Sequence, residues 1–301
     1  MSTQPRGEVI ASRRLPFLPR ALAFWGAAGV LIVLLGGSAA VSPLYGVDQQ
    51  AWHFSSAALT SVFAVYALAL LVVLLFAGSL SDLVGRRPMM TIGLIAEAAA
   101  AVLLITAHGL AFLFGARLLQ GVATGAAVGA IGAALIDLQP SRRPTLGATV
   151  NTTASNLALA VAALGASALI QYGPAPTRLV FWFLLAASVA GLAVVALLPE
   201  TVQRRVALRP GHLRPRAGLP AGARRSFLVT VPALVAPWAL GGLYFSLGPS
   251  LAGELIGSPN LVWGGFVIFL LAGSGGVATL LLRRVEARSA MGWGGTVLAL
   301  G

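Results

Sequence analysis

The chain has 301 residues, of which 58% are hydrophobic and only 9% are charged. Soluble domains typically carry about 25% charged residues, so this composition excludes an ordinary soluble domain and indicates a polytopic membrane protein. The chain contains no Cys, which excludes disulfides, thiol catalysis and Cys-based metal sites. Its net charge of +12 at pH 7 comes from Arg without any Lys.

Apolar runs of membrane-crossing length follow one another from the first span onward. A helix needs about 20 apolar residues to cross the hydrocarbon core. The runs predict an N-terminal six-helix bundle over 1–201, with spans at about 22–46, 56–79, 89–108, 110–136, 146–171 and 178–198. They also predict an Arg-rich linker at 202–225 and a second bundle over 226–301, with spans at about 227–249 and 261–282 and a partial span at 290–301. The predicted fold is an all-α membrane bundle with eight complete transmembrane helices and a partial ninth.

The Arg residues fall on alternate sides of these spans. Eighteen of the 20 basic residues lie in five segments that would face one side of the membrane: the N-terminus, three short loops and the linker. Because loops rich in Arg and Lys stay in the cytoplasm, we expect a cytoplasmic N-terminus in a plasma or inner membrane. The charge then favours contact with anionic inner-leaflet lipid, and we expect no nucleic acid partner.

A short polar stretch at 78–88, GSLSDLVGRRP, separates the second and third spans. It resembles the loop G-x-L-x-D-x-x-G-R-R between helices two and three of the major facilitator superfamily of secondary transporters. The matching residues are Gly78, Leu80, Asp82, Gly85, Arg86 and Arg87. The resemblance implies a gating loop, with the Asp82 carboxylate against the start of a helix in the other half and glycines that permit close helix approach. The alternative is that the arginines only set topology and Asp82 is an incidental surface charge.

The fourth span carries Arg117, Gln120 and Gly121, which resemble the superfamily pattern R-x-x-Q-G. The resemblance associates this arginine with proton coupling or an anionic substrate, whereas a structural arginine reaching the headgroups is the alternative. Glu97 lies within the third span, where a charged group is costly and marks a functional candidate. It is predicted either to pair with Arg117, to titrate as the coupling proton site, or to be a buried acid without a transport role.

Several uncharged polar residues inside the spans are candidates for lining a substrate cavity. They are Ser38, Ser42, Asn151, Asn156 and Tyr244. Ordinary hydrogen bonds between helices are the alternative explanation for each. Drug-efflux members of the superfamily carry G-x-x-x-G-P on the fifth helix, and the aligned positions here are Ala158, Ala162 and Ala163. This substitution counts against an antiporter of that type.

The second half of the sequence repeats the spacing of the first. The offset between the two sets of spans is about 204 residues, as expected of transporters built from repeated helix sets. A complete second half would end near residue 400, so we expect the chain to lack the last three helices and part of the ninth.

These features together predict a secondary active transporter of a small organic solute that works by alternating access, with proton coupling and export as the expected mode. We expect lipid, a small-molecule substrate and protons as partners, and no cofactor and no metal. An enzyme is not expected, because His53, His108 and His212 lie in separate segments. The alternatives are a polytopic receptor or scaffold without transport, and an inactive fragment of a transporter.

Overall fold

A computed structural model describes residues 17–202, 222, 224–282 and 285–300 of the chain. Most of the predicted linker therefore lies outside the described residues. All long elements within them are α-helices. In chain order they are α1 (Arg20–Ala40), α2 (Tyr45–Trp52), α3 (Ser56–Val84), α4 (Arg86–Ile105), α5 (Leu110–Leu138), α6 (Leu146–Tyr172), α7 (Leu179–Leu197), α8 (Arg224–Ser246), α9 (Gly248–Ile256), α10 (Val262–Leu281) and α11 (Ala287–Leu300). The predicted all-α architecture is confirmed.

Seven helical segments in the described part of the chain are long and apolar enough to cross a membrane. They are Arg20–Trp52, Ser56–Ala77, Arg86–Ile105, Leu110–Leu138, Leu146–Tyr172, Leu179–Leu197 and Val262–Leu281. Helix α8 has 23 residues but is not among these seven. The predicted count of eight complete spans and a partial ninth therefore stays a prediction.

The segments that follow the predicted spans 22–46 and 227–249 contain the short helices α2 and α9. Each region begins with a proline at an early helical position, Pro43 in a 3-10 turn and Pro249 in α9. The first N–H groups of a helix have no acceptor within the helix, so a proline there, which lacks an N–H, costs no hydrogen bond. The left-handed residues His53 and Gly257 then end the two helices.

Close helix packing in the first six spans depends on small residues. A Cβ on Gly93 of α4 would lie 2.8 Å from the Ala123 carbonyl oxygen of α5, and one on Gly125 of α5 would lie 2.9 Å from the Leu70 carbonyl oxygen of α3. Helices in lipid approach this closely only where side chains are small. Many other large apolar residues, including Leu71, Phe183 and Leu281, are exposed on the outward faces, as expected where a helix faces lipid.

The helices before and after the linker also contact one another, along α6 and α10. A Cβ on Gly265 would lie 2.7 Å from the Ala163 carbonyl oxygen. At one end of this contact, the Asn260 side-chain amide donates to the Tyr172 hydroxyl at 3.1 Å, and the Leu261 backbone N–H donates to Gln171 Oε1 at 2.9 Å. Helix α8 contacts α3, α9 and α10, and it lines a cavity described below.

Candidate functional site

Three polar residues of adjacent helices form a buried hydrogen-bonded network. The Gln120 amide connects the other two, because its Nε2 donates to Glu97 Oε1 at 3.0 Å and its Oε1 accepts from Arg117 Nη1 at 2.8 Å. Arg117 is 1% exposed, and Glu97 and Gln120 are fully buried. Among the described residues no direct ion pair joins Arg117 to Glu97. The pairing predicted for these two residues is therefore indirect, through an amide that the R-x-x-Q-G pattern contains.

The backbone of α1 completes this network. Arg117 Nη1 also donates to the Ser38 carbonyl oxygen at 3.0 Å, and Gln120 Nε2 donates to the Gly37 carbonyl oxygen at 3.1 Å. Arg117 and Gln120 are three residues apart on α5 and so share one face of the helix. A side chain at Gly37 would clash with the Glu97 carboxylate, so glycine is what allows α1 to approach α4 here.

Aromatic rings of α2 and α3 surround the Arg117 guanidinium. Its central carbon lies 4.4 Å from the ring centroid of Tyr66, 5.7 Å from that of Phe63 and 5.9 Å from that of Tyr45. A guanidinium within about 6 Å of an aromatic centroid is attracted by the ring quadrupole. These three residues were not among the predicted site residues, although Phe63 and Tyr66 are spaced by three on the second span. Arg117 Nε makes no hydrogen bond to any residue that the structure describes.

Beside Arg117 lies a cavity of about 310 Å³ between helices that precede and follow the linker. Helices α1, α3, α5 and α6 supply one wall, which includes Ser38, Tyr66 and Asn156, and α8 supplies the other with Trp238 and Phe245. The described lining is mainly apolar and aromatic, and it includes no Asp or Glu. We call this space the central cavity. Its charge is set by Arg117.

The other predicted cavity residues lie elsewhere. Ser42 is 1% exposed within the 3-10 turn after α1 and is not among the described residues that line the central cavity. Asn151 lies on α6 near Gly132. Tyr244 lines a different cavity, with Gly248 and Val267. The structure thus brings Ser38 and Asn156 to Arg117, and it separates the other three from it.

The stretch 78–88, which separates the second and third predicted spans, is almost entirely helical. Helix α3 continues to Val84 and α4 begins at Arg86, which leaves Gly85 as the single connecting residue. Gly85 has φ +116° and ψ 159°, a conformation open essentially to glycine alone. Gly78 and Asp82 lie in the last turns of α3, and the Asp82 side chain lies outside what the structure describes. The contact expected of Asp82 stays a prediction.

Glu200, which follows α7, binds the start of α4. Its carboxylate accepts hydrogen bonds from the backbone N–H groups of Arg86 at 2.9 Å and Arg87 at 3.3 Å. A carboxylate at a helix N-terminus is favoured because it offsets the positive end of the helix dipole. Glu200 was not among the predicted site residues, although the Pro-Glu-Thr sequence that ends the sixth span contains it.

The two signature arginines connect the α3–α4 junction to the ends of α5 and α7. Arg87 donates to the carbonyl oxygens of Val195 at 3.1 Å and Ala196 at 2.6 Å, at the C-terminal end of α7. Arg86 Nε lies 3.9 Å from Asp137 Oδ2 at the end of α5. These contacts hold one end of the six-helix bundle together, so the arginines do more than set topology.

No group of three or more His, Asp or Glu residues suited to a metal ion occurs within the described ranges. The chemistry available at the central cavity is therefore that of one guanidinium, one nearby carboxylate and hydrogen-bonding amides. Such a set can bind a charged or polar solute and can hold a proton on Glu97.

Comparison with known proteins identifies the fold. The protein-family model described as Major Facilitator Superfamily matches residues 18–301 of this chain. No curated protein shows significant sequence similarity to the chain.

Among solved structures, the chain is similar to the human organic anion transporter MFSD10 (TETRAN). The identity is 20% and the TM-score is 0.62, over 89% of this chain and 74% of that one. It is also similar to the peptide transporter POT in complex with sulfate, at 15% identity and a TM-score of 0.59, over 91% of this chain and 72% of that one. At these identities the likeness shows a shared fold. The match of the family model over nearly the whole chain confirms the resemblance seen in the sequence: the chain belongs to the Major Facilitator Superfamily of membrane transporters.

Proposed function

We propose that the chain is a secondary active transporter that moves a small organic solute through the central cavity by alternating access. The main observation that supports this proposal is the position of the central cavity. It lies between the first six spans and α8, and Arg117 is one of its lining residues. In transporters built from repeated helix sets, substrate binds at the interface of the repeats. The central cavity has lining residues from helices before and after the linker, and this supports the proposal.

We also propose that the transport is coupled to protons through Glu97. When Glu97 is ionised, its negative charge lies one amide away from Arg117, and the network is electrically neutral. When Glu97 binds a proton, Arg117 becomes the only charge in the network, and an uncompensated buried charge is costly. A substrate with an anionic group in the central cavity offsets that cost. Proton binding and substrate binding therefore favour one another.

The test is proton flux in vesicles that contain the purified chain and a pH-sensitive dye. A panel of small organic anions is added outside, and acidification inside reports a solute that moves together with protons. We expect at least one such solute with the unchanged chain. Glu97→Gln keeps the size of the side chain and an oxygen acceptor for Gln120, so it is expected to fold and to lose the proton flux.

Arg142→Gln is the matched control, since Arg142 is exposed in the loop between α5 and α6. It is expected to leave the flux unchanged. Proton flux that persists in Glu97→Gln would exclude Glu97 as the coupling site. An absence of solute-dependent flux across the whole panel with the unchanged chain would count against proton-coupled transport itself.

A separate experiment addresses Asp82. If the signature contact operates in this chain, Asp82→Asn abolishes solute movement while membrane insertion and the yield of folded protein stay unchanged. Full transport by Asp82→Asn would leave the alternative, in which Asp82 is an incidental charge.

The proposed orientation, with a cytoplasmic N-terminus in the plasma or inner membrane, has a direct test because the chain contains no Cys. Single cysteines at Ser141 and Ala175, both exposed, are labelled in intact cells with a membrane-impermeant thiol reagent. We expect labelling of Ala175→Cys alone, since residue 175 follows α6 and residue 141 follows α5. Labelling of Ser141→Cys alone would reverse the orientation.

A further inference from the structure

A second cavity, of about 180 Å³, lies wholly within the first six spans. Its lining comes from α2 and from the ends of α4, α5 and α7 that meet α2, and it shares no described lining residue with the central cavity. We call it the α2 cavity. It contains Asp48 of α2 and Arg178, which immediately precedes α7. Neither residue has a part in the function proposed above.

Asp48 is a buried acid without a partner. It is 7% exposed, and its carboxylate makes no hydrogen bond or ion pair with any residue that the structure describes. Buried acidic side chains are normally paired or hydrogen-bonded, because removing a charge from water is costly. Its position in the first turn of α2 offsets part of the cost through the helix dipole. A ligand with a positive group offsets the rest.

Arg178 supplies the opposite charge at the mouth of the same cavity. Its side chain is exposed, and within the described structure it makes no hydrogen bond and no ion pair with Asp48. The rest of the described lining is mainly apolar and includes Leu113, Phe181 and Trp52. Two opposite charges that are not paired with each other, in a cavity with such a lining, are complementary to a ligand that carries both charges and an apolar part.

We propose that the α2 cavity binds a small zwitterion of the amino-acid class, with its ammonium group at Asp48 and its carboxylate at Arg178. An engineered cavity of about 150 Å³ accommodates benzene, so the α2 cavity has room for a ligand of similar or slightly larger size. Trp52 and Phe181 also line this cavity, and aromatic side chains can attract an ammonium group. A simple amine or a simple carboxylic acid satisfies only one of the two protein charges.

The test compares three ligands of matched shape by calorimetry on the purified, unmodified full chain: leucine, isoamylamine and 4-methylpentanoate. We expect leucine to bind at least tenfold more tightly than either of the others, because each of them lacks one charge. Equal affinity for all three, or no detectable binding of leucine, overturns the proposal.

Substitutions locate the site. Asp48→Asn and Arg178→Gln are each expected to weaken leucine binding at least tenfold, whereas Glu254→Gln, at an exposed residue of α9, leaves it unchanged. Trp238→Ala alters the wall of the central cavity only and is expected to leave leucine affinity unchanged. Loss of leucine binding in Trp238→Ala with retention in Asp48→Asn would place leucine in the central cavity and overturn the proposal, while leaving the proposed transport function intact.

Discussion

The carboxylate of Glu200 accepts a hydrogen bond from the backbone N–H of Arg86 at 2.9 Å, across 114 positions of the chain. Glu200, which follows the last of the first six spans, thereby caps α4, the helix that begins within the signature segment. In turn, the Arg87 guanidinium binds carbonyl oxygens at the C-terminal end of α7. The N-terminus of α4 thus has a negative group beside it and the C-terminus of α7 a positive one, and each charge is favourable for the helix dipole at that end.

Removing the Glu200 carboxylate is expected to destabilise the chain. Glu200→Ala leaves the backbone N–H groups of Arg86 and Arg87 without this acceptor, at a cost of about 1–3 kcal/mol. Glu200→Gln keeps an acceptor and loses only the charge, so its cost is about 1 kcal/mol. The midpoint temperature of thermal unfolding in detergent should be highest for the unchanged chain, lower for Glu200→Gln and lowest for Glu200→Ala. Glu254→Gln, at an exposed residue of α9, is the control. A Glu200→Gln variant as stable as the unchanged chain would contradict a role for the charge.

Gly85→Ala is expected to lower stability by about 2–3 kcal/mol, because φ +116° with ψ 159° is strained for any residue with a Cβ. The added Cβ would also lie 2.5 Å from Glu200 Oε2, so the cap must shift. Thermal unfolding measures the loss. Since the two residues are in contact, the effects of Gly85→Ala and Glu200→Ala should be less than additive in the double variant.

Gly109→Ala serves as the control for Gly85→Ala. Gly109 has φ 171°, which any residue adopts, and a Cβ there would meet nothing within 4 Å. Should both alanine variants unfold at the same temperature, the argument from backbone strain would be wrong.

The glycines of α5 allow a direct comparison within one helix. A Cβ at Gly121 would lie 2.5 Å from the Tyr66 carbonyl oxygen and 2.6 Å from Ala69 Cβ, whereas one at Gly129 would meet nothing within 4 Å. Gly121→Ala is therefore expected to force α3 away from α5 and to cost about 1–3 kcal/mol. Gly129→Ala should be neutral or stabilise by up to about 1 kcal/mol through helix propensity. Similar unfolding temperatures for the two variants would contradict the close packing of α3 on α5.

Gln120→Ala tests the amide that connects Arg117 to Glu97. The substitution removes one hydrogen bond from each of two buried charged groups, and about 3 kcal/mol of stability is expected to be lost. The exposed residue Gln50 provides the control, with Gln50→Ala expected within about 0.5 kcal/mol of the unchanged chain. Chemical unfolding in mixed micelles measures both. A cost for Gln120→Ala below that of Gln50→Ala would show that the network contributes nothing to stability.

Part of this architecture was predictable from local properties of the sequence. Length and hydropathy of a run decide whether it can cross a membrane, and these properties identified the apolar helices. The signature residues and the Arg117–Gln120–Gly121 pattern identified the family. Local pattern was less reliable at helix ends: residues 78–84 include two serines and Asp82 yet continue α3, which ends only where Gly85 adopts a positive φ.

Contacts between distant helices were not predictable in the same way. The depth of Glu97 and Arg117 suggested that they pair, but the depth of a residue does not determine the rotation of its helix, and Gln120 lies between them. In the sequence, Glu200 could be noted only as part of the Pro-Glu-Thr sequence at the end of the sixth span. The rings around Arg117 come from two helices, and their meeting depends on how α2 follows the 3-10 turn after α1.

By itself, the amino-acid sequence determined that this chain forms apolar helices and that most of its arginines lie in alternate connecting segments. It also determined the resemblance to the Major Facilitator Superfamily. Each of these findings follows from residues that are near one another in the chain. Only the tertiary structure decided which polar groups meet: Gln120 between Arg117 and Glu97, Glu200 on the first N–H groups of α4, and Asp48 with Arg178 around one cavity. The reason is that side-chain contacts across the bundle depend on the rotation and separation of packed helices, which small residues at distant positions set jointly.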